Sequence, residues 1–570
     1  MTALLDCTTL AEVLRHRGAC EPERHAYTFL KDGETEHARL SFGELDRRAR
    51  AVAAALQARG AEGELAVLLY SPGLDFVAAL FGCWYAGVVA IPAYPPLRAG
   101  ATARFQSIVG DSRPRFALTS ADVLDDARLA ELRDASSCEW LATDTISADT
   151  ADAWRDKGVG SERLALLQYT SGSTASPKGV MVSHANLIAN ERMIERAMGH
   201  SSSSTFVTWL PIYHDMGLIG NLLQPVYIGA SCYLMSPVAF LQEPLRWLRA
   251  ISTYRAHTSG APDFAYDLCV QKITAEQRAT LDLSSWEVAY DGSEPVRRET
   301  LERFAETFAS CGLRASALYP CYGLAEATLL VTGGEKQETP RARSFDANAL
   351  MADRVVDLAD GADGARALIG CGRTILDQEI RIVHPETRLV CEASRIGEVW
   401  VRGPNVGQGY WNRPDTTEAM FRARVADTGD GPYLRTGDLG FLRDGELFVT
   451  GRLKDLIIVR GKNHYPQDIE QTVESSHASL RRGGCAAFPV DVDGAERLVV
   501  VAEVDRQHLR RLDGAAVIER IRQEISAHHE LALHAAVLIK PGALPLTSSG
   551  KRQRHVARQR FIDAALEALV

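Results

Sequence analysis

The order of apolar and polar positions predicts alternating helices and strands in the first part of the chain. From residue 41, SFGELDRRARAVAAALQARG places apolar residues on one helical face, with Ser41 as N-cap and Glu44 three residues later. The apolar strand ELAVLLY, a helix over 74–86 and a strand around VVAIPAY follow. Near-continuous apolar strands between helices are typical of parallel sheets covered on both faces. The pattern therefore predicts an α/β fold, and it recurs at FVTWLP, ASCYLM, EVAYDG and SALYPCYG.

The pattern changes near residue 430, where the chain becomes rich in Gly and Asp. It then restarts with the strand LIIVRG, the helix PQDIEQTVESS, the strands CAAFPV and RLVVVAEV, a helix over 515–527 and the strand AAVLIK. This succession predicts a small α+β domain after a large one. We place the large N-terminal domain at 1–452 and the small C-terminal domain at 453–570, with a ligand cleft between them.

Composition excludes several classes of protein. The chain of 570 residues has 63 Lys and Arg against 73 Asp and Glu, and this net charge of −10 argues against a nucleic-acid-binding or polybasic membrane-surface protein. Its 11 cysteines are scattered and contain no CxxC pair, as expected for reduced thiols. The uncharged runs 76–97 and 216–241 contain helix breakers, which favour buried helix–strand pairs over membrane spans. With no signal-peptide pattern at the N-terminus, we expect a cytoplasmic protein.

A loop rich in small hydroxyl residues predicts a phosphate-binding site. In LLQYTSGSTASPKGVMVSHANL (166–187) an apolar strand leads into the loop, and Lys178 precedes a helix that starts near His184. Backbone N–H groups can surround phosphate oxygens where side chains are small, and a lysine adds charge. Gly179 after Lys178 distinguishes the loop from a Walker motif, and a flexible Ser/Gly turn is the alternative. The candidate phosphate ligands are Thr170, Ser171, Gly172, Ser173, Thr174 and Lys178.

YTSGSTASPKGV closely resembles the phosphate loop of the adenylate-forming superfamily of acyl-CoA synthetases, peptide-synthetase adenylation domains and luciferases. Further motifs follow in the family's order: WLPIYHDMGLIG, DGSEPV, YPCYGLAEAT, YLRTGDLGFL, GRLKDLIIVRGKNHYPQDIE and LPLTSSGKRQR. The resemblance implies a large domain with mostly parallel sheets covered by helices, and a small mobile α+β domain.

The resemblance also implies the roles of individual residues. Asp438 and Arg452 should bind the ribose, and Glu326 should help hold Mg²⁺ against the ATP phosphates. The adenine should lie against Ser293, Glu294, Pro295, Tyr322 and Gly323. A non-catalytic nucleotide-binding scaffold is the alternative from another class of protein.

Lys551 is the residue that we expect to catalyse the reaction implied by the resemblance. A carboxylate attacks the α-phosphorus of ATP to give acyl-AMP and pyrophosphate, so both reactants are anionic and need charge neutralisation. Because Lys551 belongs to the small domain, that domain must rotate between steps, and Lys454 matches the family's hinge position. The alternative interpretation of Lys551 is a basic tail, since four arginines follow it.

Other details are similar to the fatty acyl-AMP ligases, which pass the acyl group to the phosphopantetheine thiol of an acyl carrier protein in polyketide- and lipopeptide-type lipid biosynthesis. The stretch 345–367 matches their insertion, which is thought to hinder the rotation that coenzyme A needs. No carrier domain follows the Lys551 motif, so we expect a separate carrier, with the Arg-rich segment 551–560 helping to dock it. The runner-up function is a fatty acyl-CoA synthetase that uses free coenzyme A.

The acyl group should lie near the phosphate site, where an uncharged His214 could orient the substrate carboxylate. A structural role is the alternative for this histidine. Because Asp215 and Asp291 could pair with an ammonium group, an amino-acid substrate is the alternative. The predicted acyl pocket consists of Met216, Ser259, Gly260 and Phe264.

Overall fold

A computed structural model of the chain describes residues 7–96, 101–170, 177–459, 462–492, 495–529, 531–547 and 550–569. It is a mixed α/β structure, as the sequence predicts. Ser41 and Glu44 form the expected capping box at the start of helix Phe42–Gln57. The remaining helices are Leu10–Cys20, Asp75–Ala86, Ala101–Ser112, Ala121–Leu124, Ala127–Ala135, His184–Met198, Asp215–Gly217, Gln224–Ile228, Pro237–Gln242, Leu245–Thr253, Asp263–Lys272, Ala275–Arg278, Arg298–Phe308, Ala347–Met351, Pro414–Phe421, Pro466–Ser476, Gly514–His529 and Arg554–Ile562.

A nine-stranded sheet forms one layer of the large N-terminal part. Its six central strands run parallel to one another, and antiparallel strands complete both edges. Their spatial order is Arg373–Thr374, Leu330–Gly333, Leu318–Gly323, Val288–Asp291, Thr258–Ala261, Thr205–Thr208, Ser231–Met235, His25–Leu30 and Glu36–Ser41.

A seven-stranded sheet forms a second layer, with five parallel strands. The antiparallel strand Lys178–Ser183 pairs with Leu164–Thr170, so that Thr170 lies opposite Lys178. The order is Gly409–Tyr410, Lys178–Ser183, Leu164–Thr170, Val89–Ala93, Leu65–Leu69, Phe116–Thr119 and Glu139–Ala142. The sequence pattern did not predict the strand between Lys178 and the helix that starts at His184.

Most described residues of both long uncharged runs are buried in this part of the molecule, whereas Val238 and Leu241 at the end of the second run are exposed. Helix Asp75–Ala86 and strand Val89–Ala93 account for the first run. A π-helix over Leu218–Leu223, a short helix and strand Ser231–Met235 account for the second. In the part of the chain that the structure describes, no helix has the length and apolarity needed to cross a bilayer. The cysteines, all of which are described, form no disulfide.

A four-stranded antiparallel sheet, which the sequence pattern did not predict, precedes the predicted strands of the C-terminal part. Four strands form one sheet: Glu379–Val383, Gly397–Arg402, Leu434–Arg443 and Glu446–Arg452. Two pairs of strands form small ribbons: Ala342–Asp346 with Ala365–Ile369, and Ile457–Val459 with Lys462–His464. Beyond them, Leu480–Val492, Ala495–Val504 and Leu533–Ile539 form a three-stranded sheet with its own apolar core against helices Pro466–Ser476 and Gly514–His529.

The topology explains where the predicted motifs meet. Strands Leu318–Gly323, Val288–Asp291 and Leu164–Thr170 all end at motif residues. Ligands of open α/β sheets bind outside the carboxyl ends of the strands, so these ends define one wall of a site.

Candidate active site

One cavity lies between the strand ends of the large part and the segment around Lys551. Its wall from the large part includes residues of the phosphate, adenine and acyl motifs, and its opposite wall comes from residues after 546. Of the predicted site residues, those that line the cavity are Thr170, His214, Met216, Ser293, Tyr322, Gly323, Glu326, Arg452 and Lys551.

Asp438 does not itself line the cavity, but it is held between the side chains of Tyr322 and Arg452, which do. The Tyr322 hydroxyl donates to its Oδ2 at 2.8 Å, and Nε of Arg452 donates to its Oδ1 at 2.9 Å. Asp438 and Arg452 face each other on paired strands, and the carboxylate is only 5% exposed. A carboxylate has about four acceptor positions, so each oxygen can still accept a further hydrogen bond. The arrangement can therefore bind a pair of hydroxyl groups.

Glu326 and Lys178 both contact Tyr410. The Tyr410 hydroxyl donates to Oε1 of Glu326 at 2.7 Å, and Nζ of Lys178 lies 4.9 Å from the centre of the same ring. Burial and the charge of Lys454 lower the pKa of Lys178, whereas Glu326 raises it. A cation and a carboxylate are thus presented together at the end of strand Leu164–Thr170, where an anion and its counter-ion could bind.

Lys551 and Asp215 are two charged residues that line the cavity together with His214. Burial lowers the pKa of Lys551 and raises that of Asp215, and each charge partly opposes the shift of the other. Burial and the charges of Lys551 and Arg104 lower the pKa of His214 to about 3. The imidazole is therefore neutral at physiological pH, and Lys551 brings a positive charge into the cavity from the C-terminal part.

Part of the cavity lining is apolar, and we call this part the apolar arm. It lies between helix His184–Met198, the π-helix and the segment after Gly323. A Cβ atom placed on Gly220 would come within 3.3 Å of Cδ2 of Leu329, so these two residues are in close contact across the arm. The residues of this arm are Ile194, Met198, Met216, Gly220, Leu329 and Leu330.

Comparisons with known proteins decide the family. Residues 14–411 match the family model of the AMP-binding enzymes, and residues 454–569 match the AMP domain of the Disco-interacting protein 2-like family. The chain belongs to the AMP-binding enzyme family.

Individual relatives are similar to this chain over nearly its whole length, and they belong to one group within the family. JamA, a medium-chain-fatty-acid–[acyl-carrier-protein] ligase of Moorena producens, is 47% identical over 98% of this chain and 96% of its own. FadD23, a long-chain-fatty-acid–AMP ligase of Mycobacterium tuberculosis, is 36% identical over 96% of this chain and 95% of its own. The fatty acyl-adenylate ligase of Legionella pneumophila, solved with acyl adenylate and pyrophosphate, is 41% identical, with a TM-score of 0.78 over 99% of this chain and 98% of its own. The resemblance to fatty acyl-AMP ligases is confirmed, and the chain is an adenylate-forming ligase.

Not every residue predicted for this ligase lines the cavity. Ser171, Gly172, Ser173 and Thr174 lie outside the described residues. Glu294 accepts the backbone N–H of Phe264 at 2.8 Å, and Pro295 is exposed. Lys454 is exposed in a 3₁₀ turn over Leu453–Asp455. The roles of these residues remain predictions.

The predicted acyl residues separate in the structure. Ser259 is buried between the indole N–H of Trp247 and the carbonyl of Val207, at 2.7 and 2.6 Å. Gly260 leaves space for the Tyr290 ring, which would lie 2.3 Å from an added Cβ. Phe264 lies against Gly550 of the Lys551 loop. Only Met216 of the four lines the cavity.

Sequence reasoning missed the other residues of the apolar arm. Ile194 and Met198 belong to an ordinary amphipathic helix, where periodicity does not distinguish a residue that lines a cavity from one that packs in the core, and Leu329 lies in a bend with no periodic pattern. Tyr410 was missed for a different reason, since its contacts join segments that are far apart in the chain.

The predicted insertion 345–367 contacts both parts of the ligase. On the side of the large part, Arg298 donates two hydrogen bonds to Asp360, at 2.6 and 3.1 Å. On the other side, Arg366 pairs with Asp468 at 2.9 Å and lies 4.7 Å from the centre of the Tyr465 ring. Asp353 accepts from Asn463 at 2.9 Å. The insertion therefore bridges the large part and the segment that carries helix Pro466–Ser476.

The Arg-rich segment 551–560 is less available than its sequence indicates. Arg552 and Arg554 are paired with acidic residues of the same C-terminal part. Arg558 donates to the carbonyl of Pro489 at 2.9 Å. Arg560 is exposed. The charges of Arg552 and Arg554 are therefore not available for docking a carrier protein.

Proposed function

We propose that this enzyme converts a fatty acid and ATP into fatty acyl-AMP and pyrophosphate, and then transfers the acyl group to the phosphopantetheine thiol of a separate acyl carrier protein. The observation that carries the proposal is the lining of the cavity, where apolar residues occur together with the charged residues Lys551 and Asp215. JamA, named as a ligase of medium-chain fatty acids and acyl carrier protein, supports the same substrate and partner.

The residues of this chain can stabilise the first half-reaction electrostatically. The Lys551 ammonium would neutralise charge between the attacking carboxylate and the α-phosphate, where both reactants are anionic. The neutral His214 would accept or donate one hydrogen bond without adding charge, and so orient the carboxylate. Asp438 would accept the ribose hydroxyls, with Tyr322 and Arg452 fixing its orientation.

We propose that Glu326 contributes to a Mg²⁺ site. Among the described residues, no group of three or more Asp, Glu, His or Cys side chains could hold a metal ion by itself. Mg²⁺ is commonly bound by one or two carboxylates together with substrate phosphates, so one cavity-lining glutamate beside Lys178 fits this ion. The bound ion would neutralise phosphate charge, while Tyr410 orients Glu326.

The insertion favours a carrier protein over free coenzyme A as acceptor. Contacts of Arg366 and Asp353 with the C-terminal part oppose its rotation away from the large part. We propose that the chain divides into a domain of residues 1–452 and a mobile cap of residues 453–570 that rotates at Lys454. The separate apolar core of the C-terminal sheet supports this division.

The amino-acid alternative has less support. Asp215 lines the cavity but lies beside Lys551, whose positive charge opposes that of a substrate ammonium group. Asp291 is fully buried and does not contribute to the cavity wall. JamA and FadD23 are both named as ligases of fatty acids.

The proposal is tested by product analysis. The enzyme is incubated with ATP, Mg²⁺ and saturated fatty acids of increasing chain length, alone, with coenzyme A, or with a phosphopantetheinylated acyl carrier protein. We expect acyl-AMP that persists with coenzyme A and is consumed by the carrier, as measured by mass spectrometry. Lys551→Ala is the control for product formed outside the site. Rapid formation of acyl-CoA would support the coenzyme A ligase instead, and no acyl-AMP from any acid would refute the proposal.

A further inference from the structure

A buried carboxylate holds both arginines next to Lys551. Oε1 and Oε2 of Glu470 accept from Nε and Nη2 of Arg554 at 2.6 and 2.8 Å, and Oε2 also accepts from Arg552. Glu470 has no exposed surface, and its Oε1 also accepts the backbone N–H of Ala487 at 3.0 Å. Glu470 is therefore the buried centre of an ion-pair cluster whose arginines are partly exposed.

The cluster extends toward the predicted hinge. Arg552 reaches Glu474, one helical turn after Glu470, at 2.9 Å. Arg554 reaches Asp455, the residue after Lys454, at 3.0 Å. Burial alone would raise the pKa of Glu470, but the two arginines outweigh burial and lower it. All these partners belong to the C-terminal part, so the cluster ties the Lys551 segment to the body that would rotate with it.

The cluster also fixes the backbone beside Lys551. Arg552 forms a backbone bridge with Leu546, and the backbone N–H of Thr547 donates to the Lys551 carbonyl at 2.7 Å. Arg552 and Arg554 line the same cavity as Lys551. Because Glu470 binds both arginine side chains, it restrains the chain directly after Lys551.

We propose that Glu470 is a positioning residue for Lys551: by binding Arg552 and Arg554, it holds the segment that follows Lys551 so that the ammonium group points at the reacting carboxylate and α-phosphate. The inference rests on the proposed adenylation function and adds to it a residue that does not itself line the cavity. Without the charge of Glu470, Arg552 keeps only Glu474 and Arg554 keeps only Asp455, so the segment next to Lys551 would be held less firmly.

A double-mutant cycle tests the inference. Single-turnover formation of dodecanoyl-AMP from dodecanoate, ATP and Mg²⁺ is measured for Glu470→Gln, Lys551→Ala and the double variant. We expect Glu470→Gln to slow the step about 10- to 100-fold, with little change in the KM for ATP. In the Lys551→Ala background the same substitution should cause no further slowing, because its effect passes through Lys551. Equal slowing in both backgrounds, or no slowing at all, would overturn the inference.

Two further variants keep the test decisive. Asp46→Asn is the matched control, since Asp46 is a buried carboxylate paired with Arg50 and Tyr85 far from the cavity. It should leave the rate unchanged. If Glu470→Gln does not fold, Arg554→Lys retains the charge but loses the two-pronged contact, and a smaller, equally non-additive slowing is expected. A wild-type enzyme that makes no dodecanoyl-AMP or other acyl-AMP would instead refute the proposed function.

Discussion

The two walls of the active-site cavity are built in different ways. On the side of the large part, the hydroxyls of Tyr322 and Tyr410 donate to Asp438 and Glu326, so both carboxylates are oriented by side chains of the same part. On the cap wall, Lys551 depends on a short segment held by Glu470, and that segment touches the large domain through Gly550 and Phe264. From this difference we expect that some substitutions will weaken nucleotide binding, while others will slow acyl-AMP formation.

Lys551→Ala should give the largest effect and the sharpest separation. We expect acyl-AMP formation to fall by about 100- to 1,000-fold, since the ammonium stabilises charge only as the reactants meet. ATP should still bind with a Kd within about threefold of the wild type, because the large-domain wall is unchanged. Rapid-quench assays and calorimetry measure the two quantities. A parallel loss of ATP affinity would contradict the separation.

Asp438→Asn should do the reverse and weaken binding first. The substitution keeps the size of the side chain but removes the charge that holds Tyr322 and Arg452. A hydrogen bond to a charged group contributes about 1.5–3 kcal/mol, so the Kd for AMP should rise about 10- to 100-fold. Calorimetric titration with AMP is the measurement, and Asp46→Asn is the control for the loss of a buried carboxylate. An unchanged Kd would remove Asp438 from the ribose site.

Tyr410→Phe should have the smallest effect of the three. The ring and its contact with Lys178 remain, and only the hydroxyl that orients Glu326 is lost. Glu326 keeps its charge and loses only one orienting contact, so we expect an indirect loss of about 1 kcal/mol in Mg²⁺ binding, which raises the Mg²⁺ concentration for half-maximal ATP binding about fivefold. The titration is followed by calorimetry, which does not depend on turnover. The same Mg²⁺ dependence as the wild type would show that Tyr410 does not orient Glu326.

Local sequence signals predicted much of the fold. The capping box at Ser41 and Glu44 and the helix Pro466–Ser476 depend on neighbouring residues alone. The four-stranded antiparallel sheet was not predicted, because its strands lie among Gly- and Asp-rich turns that weaken the alternation. Most residues of the apolar arm were also not predicted, since the sequence pattern does not distinguish apolar residues that pack in a core from those that line a cavity.

The sequence by itself determined the family and the kinds of chemical group that the reaction needs, because these groups lie in short, ordered motifs. Only the tertiary structure decided which groups act together. Tyr410 with Glu326, Arg366 with Asp468, and Glu470 with Arg554 are pairs separated by 84, 102 and 84 residues. Such contacts arise from the packing of whole sheets and helices, and no local pattern in the chain records them.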